Sequence, residues 1–273
     1  MFAKPLSPKL EPELDQDIDD SPDAESPDDI IVRKPDDYWS LSRQPWTSLV
    51  FSAPLLILYE VGVIMQPPDA PRNGADVWLR QFLASIGLGH HYFLLPILVV
   101  AMLLGWQHVS GRTWCIKRQV LGGMAIESLL WACLLIAIAR TQKNWFPIAW
   151  NQELQNYFCA IEMSPLVGLV NYFGAGFYEE VLFRLLLLPL VAWMLQKARL
   201  NEGKSWGWAI LGTSVIFAAA HHFGTFGDPW ALRPMVFRTV AGCFFGVLFL
   251  ARGFGITAWS HALYDVIVGE FFA

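Results

Sequence analysis

Apolar residues run almost unbroken through this chain, and short polar stretches cut them into segments close to the ~20 residues that cross a bilayer as a helix. Seven such segments follow one another: Trp46–Met65, Tyr92–Trp106, Gln119–Ala139, Pro165–Gln196, Ser205–Phe223, Met235–Ala251 and Gly255–Phe272. The pattern predicts an all-α, polytopic transmembrane bundle of about seven spans. Pro54 should bend the first span. The fourth is longer than a bilayer requires, and Gly168, Gly174 and Gly176 fall in its first half, so a kinked or partly broken helix is expected. Between the first two spans, Asp76 to Leu88 reads as a short interfacial helix. Trp78, Leu79, Phe82 and Leu83 lie on one side, with Arg80 and Gln81 on the other.

Before Trp46 the pattern stops. Residues 1–45 are rich in Pro, Asp, Glu and Ser, with acidic runs at Asp15–Asp20 and Asp28–Asp29. A segment so poor in apolar side chains cannot offset its chain entropy by burial, so a disordered tail is expected. Its role reads as solubilising or spacing; a binding partner for it is the alternative. The tail is not basic then apolar, so no cleavable signal peptide is expected, and the first span is expected to do the targeting.

Composition sharpens this division. The 273 residues are 55% hydrophobic and 16% charged, against about 25% charged in a typical soluble domain. The net charge of −5 belongs to the tail. No basic stripe suits nucleic acid. The four cysteines are scattered without a C-x-x-C pair and read as small buried hydrophobes. Arg43, the Arg112–Arg118 loop, the Lys197–Lys204 loop and Arg252 fall on one side of the predicted bundle. The positive-inside rule puts that side and the N-terminus in the cytoplasm of a bacterial cell.

Ionisable residues inside apolar spans cost roughly 2.5–3.5 kcal/mol each on insertion scales, so each needs a reason. Glu60 and Glu127 stand alone in their spans and read as members of buried ion pairs. The fourth span carries three charges in Tyr178-Glu179-Glu180-Val181-Leu182-Phe183-Arg184. Glu180 and Arg184 are i and i+4, so they can pair along one face. Glu179 is turned about 100° from Glu180 and points elsewhere. The fifth span ends in His221-His222, and the seventh presents His261 and Asp265 at i and i+4. A carboxylate with two imidazoles can activate a water and donate to a developing oxyanion. The same set could also hold zinc. The tight H-E-x-x-H motif and the G-x-S-x-G elbow are both absent.

Glu179-Glu180-x-x-x-Arg184, then Phe217-x-x-x-His221, then His261-x-x-x-Asp265 resemble, in order, the three motifs of the CPBP family. These are the type II CAAX prenyl endopeptidases and their bacterial relatives, also called the Abi family. The resemblance covers about residues 165–273. It implies an intramembrane endopeptidase of glutamic type, working without a metal cofactor on membrane-associated peptides or proteins. By this resemblance Glu179 and His221 activate the attacking water, and His261 and Asp265 stabilise the oxyanion. Glu180 and Arg184 position the helix and its charges. Asp265 departs from the Asn common in the eukaryotic enzymes. An ionised Asp cannot donate to an oxyanion, so Asp265 would be protonated or would orient His261 as an acceptor. Three other readings remain: a silent scaffold or immunity protein on the same fold, a proton-coupled carrier, and a zinc-dependent protease. A carrier would predict an internal repeat, which the sequence lacks.

Overall fold

The computed structural model describes residues 37–142, 165–224 and 227–271. Every regular element among them is helical: α1 (Tyr38–Ser42), α2 (Pro45–Met65), α3 (Gly74–Ser85), α4 (Leu94–Val109), α5 (Arg118–Gln142), α6 (Pro165–Gly174), α7 (Leu188–Lys197), α8 (Glu202–Ala220), α9 (Leu232–Arg252) and α10 (Phe254–Phe271). Two wider π-helical stretches, Ala175–Glu179 and Val181–Leu187, join α6 to α7.

Three of these helices are long and apolar enough to cross a membrane: α2, α9 and residues Arg118–Thr141 of α5. α4 is apolar but shorter. The other expected spans are also helical: the fourth is interrupted by π turns, α8 opens on the polar Glu202–Ser205, and α10 carries His261 and Asp265. Large apolar side chains such as Ile57, Val61, Ile97, Ile126, Leu130, Trp193 and Val247 lie exposed on the outer faces. That surface suits acyl chains and not water; the protein is a membrane protein.

Two polar clamps fix the bundle. At one end, Arg252 closes α9 and donates to Glu127 of α5 at 2.5 and 2.8 Å and to Ser42 Oγ at 2.9 Å. Its guanidinium lies 4.1 Å from the Trp39 ring centroid. Tyr38 also donates to Glu127, at 2.5 Å. Burial, then the neighbouring carboxylate, pushes the Tyr38 hydroxyl up to about 12, so it remains a donor at neutral pH. The structural pair expected for Glu127 is therefore present. Residues 37–45, counted with the tail in the sequence reading, are partly helical here. Leu41 and Ser42 are buried, because Tyr38, Trp39 and Leu41 give this short piece the anchors that the preceding acidic stretch lacks. Residues 1–36, the acidic body of the tail, and 143–164, most of the polar connection, lie outside the described residues.

At the other end, α3 docks against α2. Asp76 accepts from Tyr59 at 2.9 Å and from Arg80 Nε at 2.6 Å. Arg80 also reaches Glu60 at 3.0 Å, and Tyr178 donates to the same carboxylate. Glu60 is indeed paired with an arginine, but with one from α3 and not from another span. Arg80, expected on the polar outer side, turns inward because two buried carboxylates await it.

Candidate active site

The site forms where α6–α7, α8 and α10 meet the start of α3. Close approach depends on glycine. A Cβ at Gly176 would sit 2.5 Å from Ala262 Cβ and 2.7 Å from the Ala258 carbonyl oxygen, and one at Gly174 would sit 2.9 Å from Asn73 Cβ. Small residues thus let the π segment lie directly on α10 and on the α3 N-terminus. The expected break near Gly174 and Gly176 takes the form of π turns. Such turns add a residue per hydrogen-bonded ring and recur at functional sites.

The two adjacent glutamates diverge. Glu180 is fully buried; Arg184 Nε lies 3.2 Å from its Oε2, and His261 Nδ1 lies 2.7 Å from its Oε1. The i, i+4 pair read from the sequence is formed. Arg184 is held further by the Gly242 carbonyl at 3.4 Å and by the Phe217 ring, 4.6 Å from its guanidinium carbon. Glu179 keeps 12% of its side chain exposed. Its Oε1 accepts from Asn73 Nδ2 at 2.8 Å. Its Oε2 has no hydrogen-bond partner and lies 3.9 Å from His221 Nε2.

His221 caps α8 and bonds through Nδ1 to its own helix, at the Phe217 carbonyl, 2.8 Å away. A carbonyl only accepts, so Nδ1 carries the hydrogen and the neutral ring offers a bare Nε2. His261 is ordered on three sides. Glu180 takes Nδ1, Phe245 stacks on the ring at 4.5 Å, and Asp265 Oδ2 lies 3.5 Å from Nε2. Phe217 presents its edge to both imidazoles, at 4.9 and 6.0 Å between centroids. All six residues singled out in the sequence therefore meet in one region. Their exposures separate them: Glu179, His221 and Asp265 retain 12%, 27% and 22% of side-chain surface, whereas Glu180 and Arg184 retain 0% and 4%. The first group keeps some exposed surface, although Glu179 Oε2 itself is buried; the second keeps almost none.

Sequence reasoning did not find Asn73. Its only local signal is Asn-Gly at the start of a helical pattern, which marks an N-cap and says nothing of a partner 106 residues away. Phe245, stacked on His261, was equally silent. Beside the site, Arg238 pairs with Asp228, and His222 stacks on Trp230 at 4.3 Å. Cavities of about 200 and 240 Å³ open on either side of Tyr92; neither is lined by Glu179, His221 or His261.

The described residues alone do not form a zinc site here. Among the described residues no three His, Cys, Asp or Glu side chains are grouped to hold a metal ion. His261 has Nδ1 committed to Glu180, and its Nε2 faces Asp265. Among the described residues, no third donor completes a tetrahedral set beyond the facing oxygen of Glu179 and nitrogen of His221.

Residues 161–267 match the family described as type II CAAX prenyl endopeptidase Rce1-like. Over 101 residues the chain is 28% identical to the sporulation-killing factor biosynthesis protein SkfC of Bacillus subtilis (strain 168), which covers 37% of this chain. The aligned part spans only 18% of that relative's length. No solved structure matches the chain.

Proposed function

We propose, with the match of residues 161–267 to a CAAX prenyl endopeptidase family as premise, that this protein is an intramembrane endopeptidase of glutamic type. The observation that carries the reading is the gap between Glu179 Oε2 and His221 Nε2. At 3.9 Å it is too wide for a direct hydrogen bond and suited to one bridging water. Both atoms are acceptors, so a water held there donates both hydrogens and turns a lone pair outward, toward a peptide carbonyl. Glu179 takes the proton as attack proceeds, and the protonated acid returns it to the leaving amine. The C–O bond to water forms first, giving a tetrahedral intermediate; its collapse breaks the C–N bond as the amine takes the proton, and no redox partner is required.

His261 supplies the electrophilic side. Between Glu180 and Asp265 its ring is held as a donor at both nitrogens, and Nε2–H serves the tetrahedral oxyanion. Asp265 Oδ2, 3.5 Å from the same nitrogen and beyond ordinary hydrogen-bond length, orients the ring as a nearby acceptor while leaving Nε2–H to the oxyanion. Glu180 and Arg184 are positioning residues. The substrate is a membrane-associated peptide or protein entering from the bilayer, and no metal takes part. The catalytic core is residues 165–273, set in a multi-pass bundle of about seven spans in the bacterial cytoplasmic membrane, N-terminus inside.

The test compares membrane-derived peptides, by mass spectrometry, in cells carrying wild type or Glu179→Gln. The variant replaces the base by an isosteric amide, so cleavage should drop by about 10²–10⁴-fold. Membrane insertion and abundance should not change, and wild-type cleavage should persist in o-phenanthroline. Identical peptides in the two strains would remove the reading. Loss of cleavage on chelation, with the variant also silent, would replace the metal-free step with a metal-dependent one.

A further inference from the structure

We infer that Asn73, from a part of the chain that the family match does not reach, is a positioning residue that sets which oxygen of Glu179 faces the reaction. The inference rests on the peptidase reading for its consequence and on geometry for its substance. Asn73 is the N-cap of α3: its Oδ1 accepts from the backbone N–H groups of Ala75 at 3.0 Å and Asp76 at 3.4 Å. Those two bonds determine which way the amide points. Turned over, it would set its NH₂ against two N–H donors and its oxygen against a carboxylate. Nδ2 must therefore face Glu179, and it donates to Oε1 at 2.8 Å. With Oε1 occupied, Oε2 is the oxygen left for the water shared with His221.

The cap is itself held firmly. Asp76, three residues on, is fully buried and takes hydrogen bonds from Tyr59 and Arg80. Asn171 of α6 donates to the Pro71 carbonyl at 3.2 Å, which ties the approach to the cap onto the helix that carries Glu179. The Tyr178 hydroxyl, one residue before Glu179, is bound to Glu60, which is in turn bound to Arg80. The amide and the carboxylate thus belong to one rigid frame, and rotation of the Glu179 carboxylate is restricted from outside its own helix.

The experiment separates the cap from the donor. Asn73→Asp and Asn73→Ser both retain a good N-cap acceptor, so α3 should keep its start. Neither offers an amide N–H to Glu179. Two measurements are made on the purified full chain in detergent. The first is the rate at which dicyclohexylcarbodiimide labels Glu179, read by peptide mass mapping, and it requires no turnover. Freed from the amide, Glu179 should label several-fold faster in both variants. The second is cleavage of a fluorogenic peptide carrying a farnesylated cysteine and a Cys-aliphatic-aliphatic-X end. Here kcat should fall about tenfold or more, as for a misplaced catalytic group, with KM within twofold. Thermal unfolding should match wild type. Wild-type labelling in both variants overturns the inference whatever the cleavage result. Faster labelling with an unchanged kcat also overturns it, because the contact would then be structural alone. If neither wild type nor Glu179→Gln cleaves the probe, it is the peptidase reading that fails on this substrate, and the labelling rates still decide the contact.

Discussion

Glu179 and Glu180 are the same residue twice, and their surroundings give them different work. Glu180 has lost all its surface and is bound by a guanidinium and an imidazole; Glu179 keeps an edge of solvent access and one uncommitted oxygen. A buried charge that loses its partner is costly, about 3–5 kcal/mol, whereas removing both partners together costs much less. Arg184→Met should therefore destabilise the fold by about that amount. The double variant Glu180→Gln/Arg184→Met should recover a good part of the loss. Thermal unfolding of the purified chain checks both. Additive losses would mean the pair is not coupled.

At the level of elements, the site exists because the π segment can touch α10. The contact is made by Gly176 against Ala258 and Ala262, one helical turn apart on the helix that carries His261. Gly176→Ala would place a methyl where a carbonyl oxygen stands 2.7 Å away. Overpacking of this kind costs typically 1–3 kcal/mol, and the relief available is to part the two helices. The expected outcome is a lower unfolding temperature together with a lower kcat on any substrate found, since His261 would move with α10. A variant at full stability and full activity would show that the two helices have slack. The same level explains what the sequence pattern misjudged. Arg80 reads as an outward residue by its place on an amphipathic helix, but Glu60 and Asp76 draw it in.

Across the whole molecule the clamp at Arg252 and the site draw on different stretches of α9. Seven residues separate Arg252 from Phe245, the residue of α9 stacked on His261, about 10 Å of helix at 1.5 Å per residue. Arg252→Met would strand Glu127 and free α1, at a cost of about 3 kcal/mol or more. The surviving folded fraction should keep its kcat, because additivity holds between sites this far apart. Activity normalised to folded protein is the measurement; a large change in kcat would mean that this end of the bundle communicates with the chemistry.

The sequence by itself determined the helices, the apolar surface and the six ionisable residues that had to find company away from lipid. Helical periodicity also determined the two local pairs, Glu180 with Arg184 and His261 with Asp265, because residues four apart share a face whatever the fold. It could not assign partners between helices. That Glu180 would hold His261, 81 residues on, and that Asn73 would hold Glu179 across 106, depends on which helices pack side by side and at what depth. Nothing in a run of neighbouring residues encodes that. Helix spacing, set by a few glycines and alanines, brought these groups within hydrogen-bonding reach, and so decided which of two identical carboxylates was left with an oxygen to offer.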